Sequence, residues 1–210
     1  MDDDALERTR LALHGIAELV LAGPQFARSD DIRLQVTAGG FGTVAAPDVR
    51  VDGLELVTPT TRTALSGTFA ELARAAGVEA RSLRDVYAGG LDTDPDDPVV
   101  VDAEAAGVVL AAFAVGDDAL RAFAPGAEAV LWPEHFDLGL TLSEVNYGVS
   151  PGDAHVPEPY AYIGPWAARS GSFWNTAFGA ARPLRELAEP GSLVEFFHVG
   201  RARAASDPTS

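Results

Sequence analysis

The chain has 210 residues, a formal charge of −16 and no cysteine. Such a charge repels phosphate backbones and anionic lipid surfaces, which argues against nucleic-acid and membrane-surface partners, and the missing thiols exclude disulfides, thiolate catalysis and cysteine-ligated metals. All 15 basic residues are Arg, so lysine Schiff bases and pyridoxal phosphate attachment are excluded too.

Hydrophobic residues at 47% and charged residues at 22% are ordinary for a globular chain of one domain. The 21 Gly and 14 Pro call for many turns and ordered loops. The acidic start MDDDALERTR has no signal-peptide pattern. The longest uncharged apolar run, Ala105–Gly116, is far below the roughly 20 residues of a membrane span. The expectation is a soluble, cytoplasmic protein. The scarcity of Ile and Asn beside abundant Ala and Gly matches a GC-rich, for example actinobacterial, coding sequence.

Residues 4–22 predict an amphipathic helix. Leu6, Leu13, Ile16, Leu19 and Val20 form its apolar stripe and Gly23-Pro24 ends it. Residues 31–37 alternate as a half-buried strand, AGGFGT at 38–43 reads as a glycine-rich turn, and 49–57 reads as a second strand with a bulge or hairpin at Gly53. Thr68-x-x-Glu71 is a capping box for a helix closed by Gly77, and Ser82-x-x-Asp85 suggests a shorter one. Residues 92–98 form an acidic, proline-broken loop. Asp102 caps a helix to about Val115, with Gly116-Asp117 breaking it before a short helix from Asp118 to Phe123. Residues 127–142 read as one long strand, 143–158 as a structured loop and 159–166 as a short aromatic strand. Ser192-x-x-Glu195 is a second capping box, opening a helix to about Ala204.

These elements predict a single α+β domain over 1–205, with a disordered tail over 206–210. The sheet is mixed or mainly antiparallel and holds 31–57 and 127–164. An N-terminal helix, a helical middle and a C-terminal helix accompany it.

The established motifs are missing. No G-x-G-x-x-G opens a helix, and GGFG at 39–42 is turn chemistry. There is no Walker A, H-E-x-x-H or G-x-S-x-G. Reactive side chains concentrate instead in WPEHFDLGLTLSEVNYGVSPGDAHVPEPYAYIGPW, residues 132–166. The leading expectation is a small-molecule pocket walled by Trp132, Phe136, Tyr160, Tyr162 and Trp166. Asn146 belongs to its lining, and His135 and Asp137 are its polar contacts.

On a continuous strand, His135 and Asp137 share a face. That arrangement suits a divalent ion such as Zn²⁺, Mn²⁺ or Fe²⁺ ligated by His135, Asp137 and His155. Glu158 joins His135 and Asp137 as an acid/base candidate in this alternative, a metal-dependent hydrolase or lyase. A third expectation is a structural or interaction protein in which the block only packs. Asp153 in SPGD suits a turn cap, and His14 a partly buried helix position. Oligomeric state leaves no mark in the sequence.

The stretches RLQVTAGGFGT, LWPEHFDLGL, YGVSPGD and PEPYAYIGPW resemble an uncharacterised family of actinobacterial proteins. More distantly, the W-x-x-x-F-D-L strand and the Y-x-Y-x-x-P-W strand are similar to a wider bacterial family of unknown function. The resemblance implies the position of the 131–166 block. It implies no activity, cofactor or residue role.

Overall fold

A computed structural model describes residues 3–209. The first helical stretch comprises α1 (Asp3–Gly15), a π turn (Ile16–Ala22) and α2 (Gly23–Ser29). Gly23-Pro24 was expected to end a helix, yet the chain continues through it. Proline has no N–H, and the Gly23 N–H reaches back to the Glu18 carbonyl instead of that of Leu19. The Leu19 carbonyl then accepts the Arg81 N–H at 2.9 Å. Gly23 permits this crossing, since a Cβ there would clash with the Arg81 carbonyl.

The next strands are β1 (Leu34–Thr37), β2 (Gly40–Thr43), β3 (Arg50–Asp52), β4 (Glu55–Val57) and β5 (Arg62–Ala64). They form an antiparallel meander. The glycine-rich 38–43 segment is a turn only at 38–39. Its remainder is β2, whose Phe41 enters the core. Gly53 makes the β3–β4 hairpin turn at φ +60°.

Helix α3 (Phe69–Ala75) carries the full capping box of Thr68 and Glu71. The second helix start expected at Ser82 is a turn, in which the Ser82 hydroxyl accepts the Arg84 N–H. Asp102 caps α4 (Ala103–Phe123), which is one helix of 21 residues. Gly116 was expected to break it. It serves packing instead, because a Cβ there would stand 2.9 Å from the Val149 side chain. Without one, α4 lies flat on the sheet.

The second meander comprises β6 (Val130–Trp132), β7 (Asp137–Leu142), β8 (Val145–Ser150), β9 (Tyr160–Pro165) and β10 (Ala180–Pro183). The long strand expected over 127–142 is a hairpin folded at Pro133–Phe136, where Trp132 pairs with Asp137. The first part of the loop expected over 143–158 is β8, Val145–Ser150. The β7–β8 turn is Ser143-Glu144, at φ +52° and +62°. Left-handed angles at both central positions define a type I′ turn, whose usual sequences contain Asn and Gly. Ser-Glu carries no such signal.

Helix α5 (Ser192–Ser206) closes the chain. Its expected capping box is not formed: Gly191 is the N-cap residue, and the Ser192 hydroxyl donates to the Glu189 carbonyl. The tail expected to be disordered is tied down through Thr209. The Pro208 carbonyl accepts the Ser170 N–H at 2.9 Å, and an Asp207 carboxyl oxygen accepts the Trp174 indole N–H at 3.0 Å.

Among the described residues, ten strands form one sheet in the order β10-β9-β8-β7-β6-β1-β2-β3-β4-β5. Every pairing is antiparallel, and the two meanders meet at the single pair Leu34–Leu131. The fold is α+β. No helix among the described residues is long and apolar enough to cross a membrane.

In β7–β9, alternate residues serve opposite faces. Leu138, Val149, Ala161 and Ile163 are buried on the α4–α5 side, where Gly116 meets Val149 and Gly200 meets Ile163. Asp137, Asn146, Ser150, Tyr160 and Tyr162 point the other way.

Gly116→Leu should lower stability by about 2 kcal/mol through overpacking against Val149 and Leu138, read as a reduced urea midpoint. Glu144→Gly should raise stability by about 1 kcal/mol in the same assay, because glycine relieves the left-handed conformation.

Candidate functional site

The second face of β7–β9 is not covered by α4 or α5. Helix α1 borders it, and between them lies a cleft of about 940 Å³. The sheet supplies Asp137, Asn146, Ser150, Tyr160 and Tyr162. The 152–155 loop adds Asp153 and His155, and Trp166 and Phe178 complete the aromatic wall. Helix α1 contributes Glu7, Arg10, Leu11 and His14.

Two glycines make the cleft floor possible. Tyr162 lies across Gly148 and Gly139 of the neighbouring strands, and a Cβ at either position would collide with its phenol. Lying there, the Tyr162 hydroxyl donates to Asp137 Oδ2. Burial pushes the Asp137 carboxyl above its ordinary value, and the Tyr162 and His135 interactions only oppose this. Burial and the adjacent Asp137 raise the Tyr162 phenol well above its ordinary value. Asp137 Oδ1 is buried with no hydrogen-bond partner.

Beside this pair, the Tyr160 hydroxyl donates to Asp153 Oδ2 at 2.6 Å. The other Asp153 oxygen accepts the His155 and Val156 N–H groups at 2.7 and 2.8 Å. Asp153 is therefore the turn cap expected from SPGD. These hydrogen bonds hold its carboxyl below the usual range although burial acts the other way.

Helix α1 brings the cleft its buried base. Arg10 is 8% exposed, and its Nη1 is buried without a partner. Desolvation lowers its pKa from the usual value, against the opposing charges of Glu7 and Asp153. One turn on, His14 donates from Nε2 to the Pro133 carbonyl at 2.6 Å and stacks on Phe136, with ring centroids 5.2 Å apart. Burial pulls the His14 pKa down to about 4, so the ring is neutral at pH 7.

The structure thus gathers His135, Asp137, Asn146, His155, Tyr160, Tyr162 and Trp166 along one cleft. Several expectations are corrected. Phe136 touches the cleft but is 1% exposed, and it serves as a core ring. Trp132 is not among the cleft residues. Glu158 faces a different hollow between α4 and α5, where Arg185 binds both its oxygens at 2.8 and 3.0 Å. Glu158 therefore does not meet His135 and Asp137 in the cleft.

His135 lies in the Pro133–Phe136 turn, so it does not share a strand face with Asp137. It stands 2.9 Å from Glu134 instead. Among the described residues, no three His, Asp or Glu side chains form a group able to hold a metal ion, so the set His135, Asp137 and His155 does not assemble. Asp137 is further engaged by Tyr162.

Arg10 and His14 were the residues missed. Their signal was present: Glu7, Arg10, Leu11 and His14 follow an i, i+3, i+4, i+7 spacing, which makes a second stripe on α1 beside the apolar one.

A pH dependence follows from His14. Unfolded, it takes a proton near pH 6.5; folded, only near pH 4. Between these values the unfolded chain binds more protons, so stability falls as pH falls. The loss begins below about pH 6.5, is complete below about pH 4, and amounts to about 3 kcal/mol. Asp137 acts oppositely, since its raised pKa removes stability as pH rises. His14→Gln should flatten the slope of urea-derived stability between pH 6.5 and 4 relative to the parent protein. An unchanged slope would mean that His14 is not the group responsible. No protein-family model, curated protein or solved structure matches the chain.

Proposed function

We propose that the protein binds a small organic molecule in the cleft between α1 and the open face of β7–β9. The observation that carries this reading is the combination of a roomy aromatic cleft with buried polar atoms that lack partners. Its size lies within the range of ligand pockets, roughly 300–1,000 Å³. An unpaired buried polar atom costs about 1–3 kcal/mol, and here Arg10 Nη1 and Asp137 Oδ1 both bear that cost beside one cleft. A ligand in the cleft would offer an acceptor to the Arg10 guanidinium and a donor to the Asp137 carboxyl. Tyr160, Tyr162, Trp166 and Phe178 would cover its apolar body.

A library of small organic compounds should contain members that raise the melting temperature, because binding to the folded state alone stabilises it. Such members should also alter the tryptophan fluorescence, through Trp166 on the cleft wall, and that change should be lost in Trp166→Phe. Tyr160→Ala should weaken these hits at least tenfold. Hits that bind this variant and Asp137→Asn with unchanged affinity would place binding elsewhere.

A further inference from the structure

We propose that the ligand is a monocarboxylate, held through its carboxylate by Arg10. This rests on the cleft being a small-molecule site. Arg10 is more than nine-tenths buried and lines the cleft. Its Nη1 is buried and has no hydrogen-bond partner among the described residues. A guanidinium is a rigid fork that matches the two oxygens of a carboxylate.

The neighbouring acids do not fill that fork. Asp153 already accepts two backbone N–H groups and the Tyr160 hydroxyl. Glu7, one turn earlier on α1, acts on Arg10 only through space.

The same acids set the charge of the ligand. Glu7, Glu134, Asp137 and Asp153 all line the cleft. One carboxylate in direct contact with Arg10 is compensated, whereas a second negative charge would meet four acids against the histidines His135 and His155, and no second arginine. Phosphate monoesters and dicarboxylates are therefore disfavoured. Tyr160, Tyr162, Trp166 and Phe178 supply the wall for an aromatic or apolar body.

The test uses matched probes on the unaltered protein: a series of arylalkanoic acids including 3-(4-hydroxyphenyl)propionate, their primary carboxamides, and phenyl phosphate. Affinity is read by ligand-observed NMR and by the change in total tryptophan fluorescence. Acids should bind at least tenfold tighter than their amides, and phenyl phosphate should bind more weakly than the acids. In Arg10→Met the acid–amide difference should vanish while amide affinity persists. The ligand-free melting temperature of that variant should hold or rise, because an unpaired buried charge has been removed.

Acids and amides binding equally to the unaltered protein would overturn the carboxylate assignment and leave the cleft reading intact. No member of either series binding would overturn both. A phenyl phosphate that binds as tightly as the acids would overturn the preference for a single charge. Arg10→Met melting several degrees lower with acid affinity unchanged would make Arg10 a structural counter-charge to Asp153, and would overturn the proposal. The acid–amide comparison stands even if the variant fails to fold.

Discussion

The structure turns on one ring, Phe136. It sits in the β6–β7 turn at φ +51° and is fully enclosed. Phe113 of α4 meets it edge-on at 5.1 Å, Phe41 of β2 at 5.4 Å, and His14 of α1 stacks on it at 5.2 Å. Four separate elements are thereby fixed to one point. The two meanders share a single paired position, Leu34 with Leu131, so their backbone seam is weak and this aromatic contact supplies much of what joins them. Aromatic pairs contribute about 0.5–1.5 kcal/mol each beyond the area they bury. A left-handed non-glycine residue costs about 1–2 kcal/mol; three ring contacts outweigh that.

The cleft inherits its geometry from the same point. The hydrogen bond from His14 to the Pro133 carbonyl ties α1 to the hairpin that begins β7. Arg10 is four residues before His14, one turn along the same helix face. Locking His14 therefore also locks where Arg10 enters the cleft. Asp137 follows Phe136 directly, so the turn that buries the ring also aims the first residue of β7. The glycines complete the arrangement on both sides. Gly116 and Gly200 let α4 and α5 approach one face, and Gly139 and Gly148 let Tyr162 lie down on the other.

Much of the fold was legible because its signals are local. The capping box at Thr68, the hairpin at Gly53, the cap at Asp102 and the alternation in 31–37 all name their own structure. The failures share a physical cause: each residue's role is set by a segment far away in sequence. Gly116 reads as a helix breaker until Val149 is known to lie against it. Gly23-Pro24 reads as a stop until Arg81 is seen to satisfy the carbonyl that proline leaves free. Ser143-Glu144 carries no turn signature, so β8 was concealed within an expected loop. In the site, seven residues of the block that composition singled out, His135, Asp137, Asn146, His155, Tyr160, Tyr162 and Trp166, line one cleft. It could not separate Glu158, whose partner Arg185 is 27 residues away, nor exclude Trp132, which belongs to the hairpin and not to the cleft.

Natural sequences depart from local consistency mainly where function requires it. Here the departures cluster. Two buried polar atoms without partners, the left-handed Phe136 and the tyrosine laid across two glycines all occur within one small region. The Thr37 and Thr176 hydroxyls outside the cleft also lack partners, but the larger buried polar groups elsewhere are well served: buried Gln25 donates to two carbonyls and accepts two N–H groups, and buried Glu18 accepts from Tyr87 and Leu91. A chain that satisfies Gln25 four times has the means to satisfy Arg10. A leucine or methionine at position 10 would fill the same space without the cost of an unmatched charge. The guanidinium lines the cleft, and this contrast with Gln25 supports the proposal that the cleft, rather than the α4–α5 hollow, takes a ligand.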